Sequence, residues 1–476
     1  MPNPTPDRRR FLRATTAAAG AALSLTANSY ARVAGANDRL GVAFLGCGAR
    51  AQAHIHLVSQ FAHNGLSVMP VGVCDVWDGL EDEYEQPFGG TTVKRKYSQG
   101  LYPSAVKCGL DPDDSTRVVK DYRRLLDRAD VDVVCIATPD HWHARMTIDA
   151  VNAGKDAYVE TPMVRTPAEA VAVADAVART GRIVAVGVQS LSDPSVKIVR
   201  ENLQNGAIGP LVQFQGGAFR NDSRGQWRFY RVATAMNPKT VDWPMFLGSG
   251  FDVGGVRIGP KPEQFPFDRT TFAQWRCSTA FSSGPYSDLL VPLVAKFLSA
   301  TGLRYPVRVI GSGGLFHEHD GRDIPDTATI CAEYAEGCQM LVTATTASNY
   351  PIEEVIRGRR GSIRFAKDGL QLFRDEPSKA SAFPARLDRV LEATETIAVE
   401  SPKNETEAIW RDFISCVQTR NANPICPPDV GAAAAIVASM GWESSRLGLA
   451  LTWDAVRREV RPAPPSGMLR FPRTGA

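Results

Sequence analysis

The chain has 476 residues, of which 44% are hydrophobic and 22% are charged, and its formal net charge is +3 at pH 7. This length is sufficient for two domains with separate cores, and the composition argues against a disordered chain and against a membrane protein. The small net charge gives no reason to expect nucleic acid or an anionic membrane as a partner.

The first 36 residues differ from the rest of the chain. Arg8-Arg9-Arg10-Phe11-Leu12-Arg13 is a twin-arginine pattern, and an alanine-rich run and the cleavage-type sequence Ala34-Gly35-Ala36 follow it. We interpret residues 1–36 as a signal peptide that engages the twin-arginine export machinery, which predicts a periplasmic or otherwise exported protein without a stable membrane anchor. The alternative is a basic, frayed N-terminus, and Asp7 stands where such signals often have serine or threonine.

A glycine turn follows the first predicted strand, which runs from Leu40 to Leu45 and leads through Gly46-Cys47-Gly48-Ala49-Arg50-Ala51 into a helix. Gly46 allows a tight turn, Gly48 lets the backbone approach a pyrophosphate, and the N–H groups at the start of the helix would hold the phosphates. A glycine turn is also common in α/β domains that bind no dinucleotide, so the pattern alone is weak evidence.

The next strand strengthens the dinucleotide interpretation, because it runs from Val68 to Cys74 and ends at Asp75. An acidic side chain at this point accepts hydrogen bonds from the adenosine ribose. It would repel a 2′-phosphate, and residues 76–80 contain no arginine to offset that repulsion. The sequence therefore predicts NAD as the cofactor, with NADP disfavoured.

Residues 131–163 predict one βαβ unit of a parallel sheet. Its elements are the strand Val131 to Ala137, the turn Thr138-Pro139, the helix His143 to Ala153 and the strand Ala157 to Val159, which runs into Glu160-Thr161-Pro162. A helix over 167–178 and a strand from Ile183 to Val188 complete a Rossmann-type, doubly wound α/β domain over residues 38–190. Residues 80–118, rich in Gly, Pro and charge, predict an insertion beside the cofactor cleft.

Residues 191–460 predict an α+β domain with an open, mainly antiparallel sheet that serves the substrate and oligomerisation. Predicted strands lie near 211–219, 306–316, 326–335, 339–346 and 361–373, and predicted helices near 284–301, 404–420 and 428–447. Nine cysteines occur without a C-x-x-C pair, which argues against zinc and thioredoxin-like chemistry, and buried free thiols are the default interpretation. A disulfide between Cys416 and Cys426 is the alternative for that pair.

The ordered motifs resemble the Gfo/Idh/MocA family of oxidoreductases. They are Gly46-Cys47-Gly48, Cys74-Asp75-Val76, Ala137-Thr138-Pro139-Asp140-His141-Trp142-His143, Gly154-Lys155-Asp156 and Glu160-Thr161-Pro162. The likeness continues through residues 187–211, Val241-Asp242-Trp243-Pro244 and the C-terminal helices, so it covers nearly the whole chain after residue 37. The resemblance implies a carbohydrate substrate and a homo-oligomer. It also implies these cofactor contacts: Gly46, Cys47, Gly48, Ala49, Arg50, Asp75, Thr138, Pro139, His143, Glu160 and Gln189.

Both positions at which the family places its catalytic groups are substituted. The family's Glu-Lys-Pro lysine corresponds to Thr161, which can donate a hydrogen bond but brings no charge. The family's histidine, aligned through Asp288, corresponds to Pro292, which cannot exchange a proton. The site therefore works with other groups, or it does not perform the family's usual reaction.

The replacement groups considered are His143, Tyr286, Asp288, His141 and Lys296, beside Thr161 itself. We favour His143 or Tyr286 over Asp288 as the acid–base group, because each has a donor–acceptor group that can serve near neutral pH. The alternative for His143 is a residue that only orders its loop or contacts the ribose, and Lys296 can simply extend to solvent. His54 and His56 are assigned to packing and solvation, and no metal is expected at His317 and His319.

The segment 220–231 mixes hydrogen-bonding and aromatic side chains, as sugar sites do, although an exposed loop would have the same composition. The first hypothesis for the function is an NAD-dependent oxidoreductase that acts on a sugar or sugar derivative, with a retained cofactor recycled by a second substrate. The alternatives are a redox-neutral enzyme that cleaves or eliminates glycosides, and a non-catalytic sugar-binding protein with structural NAD.

Overall fold

The computed structural model describes residues 39–88, 91–374 and 393–464. The N-terminal part of this range forms a six-stranded, fully parallel sheet. The strand order is Val118–Val119, Val68–Cys74, Leu40–Leu45, Val133–Ile136, Asp156–Glu160 and Val184–Gly187. The order of the strands reverses at Leu40–Leu45, so the carboxyl ends of the strands open a crevice there.

Helices cover both faces of this sheet, as buried strands that are apolar throughout require. They are Ala49–His63, Leu101–Lys107, Arg123–Leu126, Asp140–Asn152 and Pro167–Thr180. The last of these shows why the sequence folds as predicted: the Thr166 hydroxyl and the Glu169 side chain cap each other's backbone N–H groups, and Gly181 ends the helix at φ +62°. The predicted Rossmann-type sheet is confirmed.

The predicted insertion folds as a β-hairpin rather than as a loop. Leu80–Phe88 pairs with Thr91–Gln99 beside the cleft. The segment then ends inside the parallel sheet, because Val118–Val119 pairs with the strand Val68–Cys74. Consecutive charged residues, Glu81-Asp82-Glu83 in one strand and Lys94-Arg95-Lys96 in the other, concealed the hairpin, since little of it is apolar.

The C-terminal part of the described range forms a ten-stranded sheet in which every pairing but one is antiparallel. Its order is Glu395–Ala398, Gly369–Arg374, Gly361–Ala366, Val355–Gly358, Leu211–Phe219, Gln339–Thr345, Thr327–Glu333, Arg308–Gly314, Leu451–Asp454 and Glu459–Pro462. The open α+β architecture is confirmed. Residues 361–373, predicted as one strand, are two strands joined by a turn.

The longer helices of the C-terminal part are Pro194–Gln204, Val291–Thr301, Glu405–Thr419 and Pro428–Leu447, with short helices at Trp243–Leu247 and Arg269–Ala273. Val291–Thr301 and Pro428–Leu447 pack against the sheet. Pro428–Leu447 approaches the sheet at two glycines: a Cβ on Gly311 would lie 1.8 Å from the Gly441 carbonyl oxygen. Glu405–Thr419 instead packs on the Rossmann-type part, where Trp410 stacks on Tyr158 at 4.8 Å.

No helix within the described residues has the length and apolarity needed to cross a membrane. The twin-arginine segment, residues 1–36, lies outside the described residues, so its interpretation stays a prediction. The predicted alternative of a disulfide between Cys416 and Cys426 is wrong, because both thiols are buried and free. The other seven cysteines are free as well.

Candidate functional site

The glycine turn has the backbone that its sequence predicts. Gly46 has φ +85°, and its N–H donates to the carbonyl oxygen of Cys74 at 2.8 Å. A Cβ at this position would lie 2.8 Å from the Ala137 carbonyl oxygen, on the neighbouring strand end. The positive φ and the close contact both require glycine at position 46. The turn can therefore pass close to the end of the neighbouring strand.

Gly48 is the N-cap of the helix Ala49–His63, and no side chain caps its free N–H groups. A Cβ built on Gly48 meets nothing within 4 Å, although the residue lines the central cavity. The backbone at Gly48 has an ordinary φ of −74°, which any residue can adopt. The glycine is therefore needed for the room it leaves in the cavity and not for its backbone conformation. Exposed N–H groups at a helix N-terminus beside open space fit a phosphate.

Asp75 lies at the end of the strand Val68–Cys74 and lines the same cavity. Its carboxylate accepts the backbone N–H of Cys47 at 2.6 Å and that of Trp77 at 2.8 Å. Burial raises the pKa of Asp75 to about 6, against the opposing effects of these bonds and of Lys120. A carboxylate has about four lone-pair sites, so it can still accept ribose hydroxyls.

Arg50 and Glu160 form an ion pair at the inner end of the glycine turn. Arg50 Nε donates to Glu160 Oε1 at 2.8 Å, and Gln189 Nε2 donates to the same oxygen at 3.1 Å. Burial would raise the pKa of Glu160, but the hydrogen bonds from His54 and Arg50 and the charge of Arg50 lower it to about 2. The Nη2 atom of Arg50 is buried and has no hydrogen-bond partner among the described residues, so this donor is left unsatisfied.

The cavity has a volume of about 310 Å³ and lies between the parallel sheet, the hairpin and a loop of the C-terminal part. Thr138, Pro139 and Ala49 belong to its wall, together with aromatic side chains. Those aromatic residues are Trp77, Tyr84, Tyr97, Tyr122, Trp142, Phe229, Tyr230, Phe246, Phe272 and Trp275. A wall that combines donors for phosphates with aromatic faces suits a nucleotide.

The hairpin is attached to the C-terminal part through Arg231. The Arg231 guanidinium lies over the rings of Tyr84 and Tyr97, at 4.5 and 5.1 Å from their centroids, and pairs with Asp82. Phe229 and Tyr230, from the segment that was assigned to the sugar, line the cavity beside it. Trp227 of the same segment is buried instead, where the indole N–H donates to Asp288 at 3.1 Å.

His143 is turned away from the cavity. Its ring is buried, with Nδ1 2.7 Å from the Pro162 carbonyl oxygen and Nε2 2.8 Å from that of Thr138. Burial lowers the pKa of His143, against the raising effect of bonding to these carbonyls. A neutral ring donates to only one of the two carbonyls, but both of its nitrogens face the backbone, so the geometry favours the alternative in which His143 orders the loop.

Tyr286 is also buried away from the cavity, and its hydroxyl donates to the Ser312 carbonyl oxygen at 2.8 Å. It belongs to a π-helical turn, Tyr286–Leu290, that precedes the helix Val291–Thr301. Pro292 accounts for this turn, because proline has no N–H to donate to the carbonyl four residues earlier and its ring collides with it.

Asp288 lies on that π-helical turn and holds an arginine that the sequence analysis missed. Arg276 Nε donates to Asp288 at 3.1 Å, and the Arg276 guanidinium lies over the Trp275 ring at 4.1 Å and lines the cavity. Burial alone would lower the pKa of Arg276, but the charge of Asp288 raises it. No sequence motif marks Arg276, because it lies on a three-residue helical turn, Trp275–Cys277.

Asp140 is a second missed residue, although it belongs to a recognised motif. It is 2% exposed, and burial raises its pKa to about 7 against the lowering effect of Arg276. Its position immediately after Thr138-Pro139 could have identified Asp140 as a site residue, but helix starts often have an acidic residue for capping.

Thr161 follows the strand Asp156–Glu160. Its side chain is half-buried and lies outside the cavity wall.

The remaining histidine and lysine candidates are engaged elsewhere. His141 is buried, with Nε2 2.8 Å from the Phe246 carbonyl oxygen, and burial lowers its pKa well below the ordinary value. Lys296 does not extend freely to solvent, because it pairs with Glu354 at 2.6 Å. His317 and His319 are exposed, and the described residues contain no group of side chains that could hold a metal ion.

Comparison with known proteins gives the same fold. Residues 100–188 match the GFO_IDH_MocA model, described as an oxidoreductase family with an NAD-binding Rossmann fold. This match confirms the predicted NAD-binding Rossmann fold for this part of the chain. Levoglucosan dehydrogenase of Pseudarthrobacter phenanthrenivorans is 34% identical over 116 residues, which are 23% of this chain and 30% of that protein. A glycosyl hydrolase family 109 protein of Shewanella baltica is 34% identical over 191 residues, 36% of this chain and 37% of its own.

Alpha-N-acetylgalactosaminidase of Shewanella oneidensis is 28% identical over 256 residues, 47% of this chain and 50% of that protein. The chain therefore matches half or less of the length of each of these relatives. Among solved structures, levoglucosan dehydrogenase in complex with NADH and levoglucosan has a TM-score of 0.58 at 19% identity, covering 87% of this chain and 99% of that one. Aldose-aldose oxidoreductase of Caulobacter crescentus, in complex with glycerol, has a TM-score of 0.56 at 19% identity, covering 87% of this chain and 99% of that one.

Proposed function

We propose that the protein is an NAD-dependent oxidoreductase that acts on a sugar or a sugar derivative. The proposal depends chiefly on the cavity at the glycine turn. Open space over Gly48 and a buried, unpartnered Nη2 on Arg50 offer room and donors for a dinucleotide's phosphates, and Asp75 offers an acceptor for its ribose. The names of the similar proteins, levoglucosan dehydrogenase among them, support the sugar.

The chain's own groups have distinguishable tasks in this proposal. When bound, NAD exchanges a hydride with a substrate carbon. Arg276 contributes a fixed positive charge at the cavity wall, where it can stabilise negative charge on a substrate oxygen but cannot exchange a proton. Asp288 holds that guanidinium in place, whereas Asp140, whose pKa burial raises to about 7, does not line the cavity.

Export of the protein is part of the proposal and rests on the twin-arginine pattern of residues 8–13. An exported enzyme is separated from the cytoplasmic nucleotide pool, so its cofactor has to remain bound and be recycled by a second substrate. The hairpin is consistent with retention, since Arg231 attaches it to the C-terminal part beside the cavity. A twin-arginine variant, Arg8→Lys with Arg9→Lys, should keep the protein in the cytoplasm when cells are fractionated.

The test of the oxidoreductase proposal is the absorption spectrum of the purified protein during mixing with individual sugars. We expect the band of bound reduced nicotinamide to appear or vanish with at least one sugar, without added cofactor. A protein that binds NADH but shows no spectral change with any sugar would contradict net oxidoreductase chemistry. That result, together with no release of an aglycone from glycosides, would favour the sugar-binding alternative, in which NAD is a structural element.

A redox-neutral glycoside-cleaving enzyme is the second candidate. It is favoured by the names of two relatives, a glycosyl hydrolase family 109 protein and an alpha-N-acetylgalactosaminidase. In such a reaction, the sugar would lose a hydride to bound NAD, which acidifies a neighbouring C–H. Loss of that proton and of the aglycone would be followed by addition of water, and the hydride would then return to the sugar. The cofactor then shows no net change of redox state, while glycoside cleavage is measurable by release of the aglycone.

Thr161→Lys separates these two candidates. In an ordinary sugar dehydrogenase the added lysine supplies charge where an alkoxide develops, so turnover should rise with NADH affinity unchanged. Loss of an activity present in the parent would instead indicate a site rebuilt around a neutral residue, which favours the redox-neutral reaction. Thr161→Gln is the control, because it adds length without charge.

A further inference from the structure

A buried chain of hydrogen bonds links the C-terminal helix Glu405–Thr419 to the glycine turn. The indole N–H of Trp410 donates to Nδ1 of His54 at 2.8 Å, and Nε2 of His54 lies 2.8 Å from Oε1 of Glu160. Trp410 and His54 are both completely buried. His54 was assigned to packing, because its sequence neighbours are apolar and Trp410 lies 356 residues away.

The donor at one end of this chain fixes the histidine's tautomer. An indole nitrogen can only donate, so Nδ1 of His54 must accept, and the proton of the neutral ring lies on Nε2. Burial lowers the pKa of His54, which keeps the ring neutral, while the charged groups near it are Glu160 and Arg50. The ring therefore donates to Glu160 in one fixed orientation, in the way that outer hydrogen-bond partners orient the histidine ligands of metal sites.

Glu160 passes this restraint to Arg50. The Glu160 carboxylate is ionised, with a pKa of about 2, and Oε1 receives both His54 Nε2 and Arg50 Nε. The guanidinium is planar, so fixing Nε also fixes the direction of Nη2. That Nη2 is the buried atom without a partner, and Arg50 lines the cavity beside Gly48.

We propose that Trp410 and His54 are positioning residues that, through Glu160, aim the Arg50 guanidinium at the pyrophosphate of the bound dinucleotide. The inference rests on the proposed function, because it presumes that the cavity binds NAD. It assigns the helix Glu405–Thr419 of the C-terminal part a role in cofactor affinity, although the helix contributes no residue to the cavity wall.

The first test is Trp410→Phe in the full chain, with NADH as the probe in a calorimetric titration. Phenylalanine keeps an aromatic ring against Tyr158 but removes the indole donor, so we expect NADH affinity to fall about fivefold. Trp453→Phe is the matched control. Its ring also stacks on a tyrosine, Tyr305, at 5.3 Å, but on a strand away from the cavity.

The pH dependence of the effect separates positioning from packing. Without the indole donor, His54 can take a proton on Nδ1, and its cation then competes with Arg50 for Glu160. The ratio of the Trp410→Phe and parental NADH dissociation constants should therefore grow on acidification from about pH 8 to about pH 5.5, the range in which histidine titrates. For Trp453→Phe the corresponding ratio should stay constant. A pH-independent ratio for Trp410→Phe would indicate lost packing only and would overturn the proposal.

A double-mutant cycle with Arg50→Lys tests the route. Lysine keeps the positive charge, but its single ammonium group cannot bond Glu160 and the phosphates in two fixed directions as a guanidinium does. NADH affinity should therefore fall. If Trp410 acts through Arg50, the double variant should bind little worse than Arg50→Lys alone, whereas independent effects multiply. Multiplying effects would overturn the proposal, and absence of NADH binding to the parent would refute the proposed function itself.

If Trp410→Phe does not fold, the same inference is tested at His54. The substitution His54→Gln keeps an amide donor near Glu160, whereas His54→Leu removes the donor. We expect NADH affinity close to the parent for His54→Gln and clearly weaker for His54→Leu, with Arg50→Lys suppressing that difference. Equal affinities for both variants would contradict a relay through His54.

Discussion

The two ends of the central cleft differ in how their residues are placed. At the glycine turn, backbone geometry defines the site: Gly46 has a positive φ, Gly48 leaves open space, and Asp75 ends its strand at the cavity. At the end expected to perform catalysis, His143 and Tyr286 are buried and bonded to backbone carbonyls. Local backbone geometry follows from a short stretch of sequence, whereas the direction of a side chain depends on everything packed around it.

The largest expected effect comes from Gly46→Ala, which tests whether the turn is dictated by backbone. Alanine disfavours φ +85°, and its Cβ would clash with the Ala137 carbonyl. We expect the free energy of unfolding to fall by more than about 2 kcal/mol, together with loss of NADH binding, in urea denaturation and titration. Gly154→Ala, with φ +77° and no atom within 4 Å of the new Cβ, is the control and should lose only about 1 kcal/mol. Equal losses would mean that the clash is unimportant.

Gly48→Ala should separate binding from stability. Its φ of −74° suits alanine and its Cβ has open space, so the free energy of unfolding should change by less than about 1 kcal/mol. The added methyl group would occupy the position of the pyrophosphate, so NADH affinity should fall about tenfold or more. Unchanged NADH affinity in titration would place the phosphates elsewhere.

Asp75→Asn sharpens the nucleotide end of the comparison. We expect NADH affinity to fall about tenfold, since a charged acceptor for the ribose is lost, while NADPH loses a repulsion and binds relatively better. In the parent, the Asp75 pKa of about 6 predicts the same change on acidification, because the protonated form prevails below that pH. The preference for NADH over NADPH should therefore shrink between about pH 7.5 and about pH 5, and Asp75→Asn should not show this trend.

The smallest effect is expected at the buried catalytic candidates. Tyr286→Phe removes the hydrogen bond to the Ser312 carbonyl, which should lower the free energy of unfolding by about 1 kcal/mol. Once a substrate is known, turnover and its pH profile should match the parent in Tyr286→Phe and in His143→Asn. A changed profile in either variant would restore that residue as the acid–base group.

Most of the fold could be predicted from the sequence, because local patterns of apolar, capping and turn residues mark the strands and helices. Leu211–Phe219 matches its predicted bounds, and the helix Pro167–Thr180 has the capping residues that define it. The strand Val355–Gly358 and the hairpin 80–99 were missed, because one is short and the other is largely polar. Val355–Gly358 pairs with the distant strand Leu211–Phe219, which no local pattern reveals.

The candidate site divides in the same way. Gly46, Gly48, Arg50, Asp75, Thr138 and Pro139 were named from their sequence and line the cavity. Arg276 was not named, because its partner Asp288 lies on a π-helical turn that no local pattern predicts. The hydrogen bonds of His54 were not anticipated, since its partner Trp410 lies far along the chain. The catalytic assignments remain predictions.

The most direct test is a calorimetric titration of the purified full chain, freed of nucleotide, with NADH and then with NADPH. We predict one NADH bound per chain, with NADPH weaker by about tenfold or more because of Asp75. Equal or tighter binding of NADPH would contradict the assignment of Asp75. Absence of binding by either nucleotide would contradict the proposal that the cavity at the glycine turn is a cofactor site.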